Sequence, residues 1–446
     1  MLKKVQAAWS VPELRSRILF VLFALLVFRF GAAVPVPYID TDLLRQFFTA
    51  HAGALLGMIN ALSGSALSRA TVFALSVQPY INASILIQLL TIAVPSLERL
   101  RKDGGEAGKK KIQAATRYTA AAVGLLQGSG YYALIRRSGF LSDTGLWAAA
   151  VIIFTLTAGS VFLMWLGEQI TEHGIGNGIS VLLFAGILSR MPYAVSSVLR
   201  AVRNYSSHLD TSGWTEAERA GYSVLHPGLA CLLAAGILAL VVFTVFMTLS
   251  ERRVPVQYAG RTVGRKAAVG RKTYLPVKIN LGGVLPVIFA QSVLAVPASA
   301  ALFFPASRID GTVWNRLAHF FDSAGAVYTV LYLLLIAAFS YFYAYLQFDP
   351  TETANALKRN GGSIPGFRPG RPTADVLAGI LKRITFFGAG FLSAVALLPL
   401  VFGHITGITG LGIGGTSVII VVGVALDTVR QAEARMLMRH YKGFLI

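Results

Sequence analysis

The residue types that usually carry chemistry are few in this 446-residue chain, and their spacing argues against a reaction centre. Its seven histidines, at 51, 173, 208, 226, 319, 404 and 440, fall mostly in loops or at the edges of apolar runs. None is spaced with a second His or a Cys as a metal pair. The single cysteine, Cys231, lies inside an apolar run and can form no intrachain disulfide. There is no G-x-x-x-x-G-K-[ST] phosphate loop, no H-E-x-x-H and no G-x-S-x-G. "GLGIGG" (410–415) is glycine-rich, but it opens an apolar run with no soluble strand before it, so it reads as helix packing or a turn. Intramembrane proteolysis would need a Ser/His or Asp/Asp pair inside the apolar runs, and none is there. The chain therefore reads as a non-enzyme, with no catalytic residue, metal or cofactor expected.

Coupled transport would also leave a mark. A proton- or sodium-driven carrier keeps ionisable side chains within its membrane segments. Here Glu168 and Asp427 sit near the ends of apolar runs, and Arg29 is the main charge inside one.

The elements that position these residues are membrane spans. The chain is 55% hydrophobic and 13% charged, with mean hydropathy +0.63, against about 25% charged in soluble domains. Apolar runs long enough to cross a bilayer are expected near 18–36, 70–92, 114–134, 147–167, 178–200, 227–249, 280–304, 326–346, 384–402 and 413–430. The first is too long for a signal peptide and has no small-residue cleavage site soon after, so no cleavable leader is expected. Ten spans put both termini on one side. The net charge of +20 is concentrated there: every lysine, and most of the 40 basic residues, fall in the terminal segments and in the second–third, sixth–seventh and eighth–ninth connections. That asymmetry marks the cytoplasmic side.

Two basic connections exceed what orientation requires. "SERRVPVQYAGRTVGRKAAVGRKTYLPVKI" (250–279) alternates at "RVPVQYA" and then carries glycines and "TYLP", the pattern of a protruding hairpin. "NGGSIPGFRPGRPT" (360–373) places turns around Arg368 and Arg371. Arg252, Arg253, Arg261, Arg368 and Arg371 are the contact candidates for an anionic partner such as RNA or an acidic protein surface. Several spans also look interrupted: Pro79 would divide the second, Pro286 and Pro297 lie in the seventh beside "NLGG", "GIGNGIS" (174–180) enters the fifth and "GTS" (415–417) the tenth. Broken helices at membrane depth are tolerated where they are buried or line a cavity. "MINALSGSALSRA" (58–70) is half-polar and makes a poor lipid contact just before a strongly apolar stretch.

Five motifs together resemble one family. "SGSALSRATVFALSVQPYINASILIQLL" (63–90), "ITEHGIGNGISVLLFAGI" (170–187), "LPVKINLGGVLPVIFAQS" (275–292), "FRPGRPT" (367–373) and "GIGGTSVIIVVGVALD" (412–427) are similar to the SecY protein-translocation channel in its bacterial form. The resemblance implies an all-α integral membrane protein with ten transmembrane helices in two pseudo-symmetric five-helix halves around a central pore. It divides the chain into a half at 1–200, an outer connecting loop at 201–226 and a half at 227–446, with basic cytoplasmic loops at 250–279 and 347–383. It implies a pore ring of Val77, Ile81, Ile179, Leu183, Ile288 and Ile420. Two facts of this sequence suit that role: Val77/Ile81 and Ile179/Leu183 are i,i+4 pairs, and all six are aliphatic. A plug is implied at about 53–66, including Gly57, Met58, Ile59, Asn60, Ala61, Leu62, Ser63 and Gly64. Gln88, Gln291 and Ser292 would lie near a lateral gate.

The function implied is passage of unfolded preproteins through the pore and release of transmembrane segments sideways into the bilayer of a bacterial cell membrane. Implied partners are SecE- and SecG-type small membrane subunits, a SecA ATPase motor, the ribosome and its RNA, signal peptides and preproteins. A secondary transporter of small solutes, or a scaffold for other membrane proteins, would share the spans but not these motifs.

Overall fold

The computed structural model describes residues 11–44, 63–102, 104–207, 225–258, 262–263, 266–267, 272–303, 326–406 and 415–442. Each expected span falls on a helix. These are α1 (Pro12–Gly31), α2 (Gln78–Ala93), α3 (Gly105–Arg137), α4 (Leu146–His173), α5 (Gly178–Ser207), α6 (Pro227–Leu249), α7 (Leu285–Phe303), α8 (Ala326–Gln347), α9 (Arg371–Thr406) and α10 (Gly415–Lys442). Among the described residues, five helices are by themselves long and apolar enough to cross a membrane, or six if α2 and the short helix Pro95–Lys102, bent by 104°, count as one broken span. Only 17% of the apolar window of α6 is buried within the chain. Its other faces are left for lipid or a partner.

Several helix starts follow from local chemistry. Proline stands in the first turn of α1, α2 and α6, where its missing N–H goes unneeded and its fixed φ suits the helix. Pro79 therefore does not divide the second span; it opens α2. Pro286 likewise stands second in α7, which runs on through Pro297. The short helix Pro350–Arg359 is capped by Asp349, whose carboxylate accepts from the backbone N–H of Thr351 and Glu352.

The second span begins eight residues later than hydropathy suggests. Residues 63–77 run as turns with positive φ at Ser65, Ala70 and Ser76. Hydrogen bonds from Val36 N–H to the Ala70 carbonyl (2.8 Å) and from Val72 N–H to the Val34 carbonyl (3.0 Å) hold this crossover against the chain leaving α1. Phe73 stacks between Phe28 of α1 and Phe162 of α4. A Cβ at Gly159 would lie 2.1 Å from the Val72 carbonyl oxygen, so only glycine lets α4 approach so closely.

The packed interior has four main parts. One joins the crossover, α3 and α4 around Tyr131, Ile135, Ile152 and Leu156. A second joins α6 to α10 around Leu294, Ile336, Leu392 and Ile419. A third lies between these two halves and is described below. The fourth is outside the bundle. There β1 (Glu251–Tyr258) pairs antiparallel with β2 (Lys272–Lys278), from Glu251↔Lys278 to Gln257↔Lys272. The expected hairpin is present. On its other side β1 takes a two-residue strand, β3 (Gly362–Ser363), from the eighth–ninth connection. Pro276 lies on the edge strand, and Pro255 stands beyond the reach of β3, so neither removes a ladder bond the sheet needs.

Candidate pore constriction and basic face

The pore candidates come from four helices and the end of the crossover. Val77 is the N-cap of α2 and Ile81 lies one turn on, with Ile81 N–H donating to the Val77 carbonyl at 3.1 Å. Leu183 is in the second turn of α5. Ile288 is in the first turn of α7, held by its N–H to the Val284 carbonyl. Ile420 is in α10. These five side chains are 1–7% exposed and belong to one cluster of buried apolar residues. Phe28, Leu163, Leu166, Val181, Phe289, Tyr343 and Val424 complete most of it. This is the cluster between the halves: its members come from α1, α2, α4 and α5 on one side and α7, α8 and α10 on the other.

Ile179 is placed differently. It is half-buried and packs at the edge of the cluster, with its Cδ1 only 2.5 Å from where a Cβ on Gly167 of α4 would stand. On the i,i+4 stripe that runs through Ile179 and Leu183, the next residue, Ile187, lies fully inside the cluster, 6% exposed and one turn beyond Leu183. The i,i+4 spacing that suits Ile179 and Leu183 continues to Ile187.

The polar candidates flank this cluster. The Tyr343 hydroxyl of α8 donates to Gln88 Oε1 of α2, and Gln88 Nε2 donates to Ser84 Oγ at 3.0 Å. Gln78 Nε2, at the start of α2, donates to Ser292 Oγ of α7 at 3.3 Å. Gln88 and Ser292 thus both engage the opposite half. Gln291 does not: its Nε2 donates to the Tyr332 hydroxyl within the C-terminal half at 2.9 Å, and its buried Oε1 has no partner among the described residues. Gln78 and Tyr343 were not singled out from sequence. Gln78 stood out only as a polar residue in an apolar run, and Tyr343 sits in the aromatic stretch "YFYAY" with nothing to separate it from its neighbours.

Of the plug segment, Gly57, Met58, Ile59, Asn60, Ala61 and Leu62 lie outside the described residues. Ser63 and Gly64 are described. Ser63 Oγ accepts from Leu67 N–H at 3.3 Å. Gly64 has φ +67°, and a Cβ there would come within 3.0 Å of Ser189 Oγ and 3.3 Å of Gly186 on α5. Gly64 therefore seats against the small residues Gly186 and Ser189 of α5.

On the basic side, Arg252 and Arg253 are exposed at the start of β1, and Arg253 Nε donates to Glu251 Oε1 at 2.9 Å. Arg261 lies outside the described residues. Arg368 is exposed in a loop tip bracketed by Gly366 (φ 86°) and Gly370 (φ 111°), left-handed positions that suit glycine. Thr373 Oγ1 pins the tip by donating to the Arg368 carbonyl at 2.9 Å, and Arg371 begins α9, also exposed. Beneath these arginines, Val254, Val277, Ala354, Ile364, Ala374 and Leu377 form one small core. The two basic connections, separate in sequence, are a single folded platform. Where α3 and α4 approach, Glu168 receives Arg117 (2.8 and 2.9 Å) and Gln113 (3.2 Å). Among the described residues no group of three His, Cys, Asp or Glu could hold a metal.

Comparison with known proteins agrees with this geometry. The SecY family profile matches residues 71–429. The protein translocase subunit SecY of Streptomyces coelicolor is 39% identical, covering 100% of both chains. A solved SecY structure, described as showing that the plug domain stabilises the closed state and maintains a membrane seal, superposes with TM-score 0.63 at 16% identity, over 94% of this chain and 92% of that one. Sec61 in a canine ribosome–channel complex superposes with TM-score 0.61 at 15% identity and the same coverage. Full-length identity and a shared fold lead to one conclusion: this chain is a member of the SecY family of protein-translocase subunits.

Proposed function

We propose that the chain is the pore-forming subunit of a bacterial Sec translocon. It passes unfolded preproteins across the cell membrane and lets transmembrane segments leave sideways into lipid. One observation carries this reading: aliphatic side chains from α2, α5, α7 and α10 meet in a single buried cluster between the two halves. A ring of donor-free side chains can exclude ions by dewetting, yet it makes no bond that selects one substrate residue over another. A solute carrier needs the reverse, a set of polar ligands near the same depth.

In this reading the ring comprises Val77, Ile81, Leu183, Ile187, Ile288 and Ile420, with Ile179 at its margin. The lateral gate opens where α2 faces α7 and α8, and Gln88–Tyr343 and Gln78–Ser292 fasten it. Such bonds are worth on the order of 1 kcal/mol in a membrane. A hydrophobic signal helix can outcompete them. The plug occupies about 53–66, with Ser63 and Gly64 as its inner edge. Both termini and the platform are cytoplasmic. Arg252, Arg253, Arg261, Arg368 and Arg371 receive a ribosome or a SecA-type motor, and SecE- and SecG-type subunits cover exposed helix faces.

The test is reconstitution of the chain with SecE- and SecG-type subunits and the motor in vesicles, followed by protease protection of a preprotein. The expected result is an ATP-dependent protected product. Saturable uptake of a small solute with no protected product would overturn the reading.

A further inference from the structure

α9 is 36 residues long, far longer than the roughly 20 residues a bilayer core needs. Its first turns belong to the platform core through Ala374 and Leu377, and its later turns to the second half's core through Phe391, Leu392 and Val395. The helix therefore crosses the boundary between water and hydrocarbon part-way along.

At that boundary one face stays uncovered. Lys382, Arg383, Phe386, Phe387, Gly390 and Ala394 are exposed, while Ile384, Thr385, Gly388, Ala389, Phe391 and Leu392 between them are buried. Lys382/Phe386 and Arg383/Phe387 are i,i+4 pairs, so each cationic residue precedes an aromatic residue on the same stripe by one turn, about 6 Å along the helix axis. Both rings are 67% exposed and meet edge to face at 6.0 Å. Below them, a Cβ built at Gly390 would touch nothing within 4 Å, leaving a recess in the stripe.

Neither Lys382 nor Arg383 has an acidic partner among the described residues. The nearest acid on the stripe, Asp375, is about 10 Å nearer the start of the helix. Two cations without an acidic partner among the described residues, one turn above two exposed rings, match a headgroup carrying net negative charge over an acyl chain. A zwitterionic headgroup brings its own cation beside the phosphate, so it offers the two cations no net attraction.

We propose that the Lys382–Arg383–Phe386–Phe387 stripe of α9, with the recess at Gly390, is a binding site for an anionic phospholipid at the basic face of the membrane. The cations hold the phosphate and headgroup, the rings pack on the upper acyl chain, and the recess admits the chain beside the helix. The site is independent of the pore reading, because it needs only that α9 cross the bilayer.

The single native cysteine makes the test direct. Gly390→Cys is introduced into a Cys231→Ser chain, labelled with a small fluorophore and placed in phosphatidylcholine vesicles. Acyl-spin-labelled phosphatidylglycerol or phosphatidylcholine is then titrated in. Phosphatidylglycerol should quench at a mole fraction on the order of tenfold lower than phosphatidylcholine, the scale set by two interfacial cations. Lys382→Gln/Arg383→Gln should abolish that preference while keeping the phosphatidylcholine quenching, which shows the helix still faces lipid. A label at Leu232 of α6, 59% exposed, should show no preference. Equal quenching by both lipids at position 390, a preference that survives loss of both cations, or no quenching by either because a protein covers the stripe would each overturn the proposal.

Discussion

The two functional regions of this chain are built from opposite materials. The proposed constriction is a buried cluster of aliphatic and aromatic side chains contributed by helices far apart in sequence, with the Gln88–Tyr343 and Gln78–Ser292 contacts at its flank. The platform is a three-stranded sheet with its own small core, and it projects exposed arginines from its first strand and loop tip. Non-directional packing can part and close again without breaking a specific bond. A hydrogen-bonded sheet keeps its shape while a partner pushes on it. Under the proposed function, the contrast separates a part that deforms for each substrate from a part that does not.

Substitutions should divide along the same line. The largest effect is expected from Leu183→Asp. A carboxylate placed in a site 3% exposed costs several kcal/mol unless hydrated, so the cluster should open to water. Ion flux through the resting channel in vesicles should rise by roughly two orders of magnitude, with partner docking on the platform unchanged. Flux at the parental level would break the comparison.

Next comes Leu377→Ala in the platform core. Leu377 is 1% exposed, and truncation there should cost about 2–5 kcal/mol of local stability. Limited proteolysis should cut the 250–279 hairpin faster, and motor binding should fall, while ion flux stays at rest. A smaller effect is expected from Arg368→Glu. Reversing one exposed charge in a pinned loop should weaken docking of an anionic partner about tenfold, measured as motor or ribosome affinity at fixed salt. Normal preprotein transport with normal affinity would remove Arg368 from the contact surface.

The smallest is Tyr343→Phe. It keeps the ring in the cluster and deletes only the hydroxyl that donates to Gln88. Losing about 1 kcal/mol across the seam should let preproteins with weakened signal sequences through about fivefold more often, by protease protection. No relaxation of signal selectivity would mean the bond does not restrain the gate.

How much of this could be read beforehand depends on the range of the interaction. The 250–279 hairpin was visible because alternation and turn residues are local, and β1 and β2 pair in the register such a hairpin requires. The link between β1 and Gly362–Ser363 was not, because a two-residue strand leaves no periodicity and its partner lies about a hundred residues away. Residues 70–77 were read as the start of a span because "ATVFALSV" is apolar. Hydropathy reports burial but not backbone conformation. Here the apolar residues are buried in turns, held by strand-like bonds to Val34 and Val36 and by the space at Gly159. Prolines 79 and 286 were misread for a related reason: a proline near the start of a helix and one inside it look alike until the helix boundary is known. At the constriction, Val77, Ile81, Leu183, Ile288 and Ile420 were named from motif resemblance, and they do come together. That Ile187 lies inside the cluster and Ile179 at its edge depends on Gly167 of the neighbouring helix, which makes room for Ile179 at the side.

The most direct test of the constriction uses a preprotein stalled in transit and single cysteines placed in a Cys231→Ser chain at 81, 183, 187, 288 and 420, with 179 and the lipid-facing 126 as comparisons. Leu126 is 70% exposed. The account predicts disulfide cross-links from the stalled segment to the first five positions, weak ones to 179 and none to 126. Cross-links at 126 and none at 81, 183 or 420 would contradict it and place the path of the chain elsewhere in the molecule.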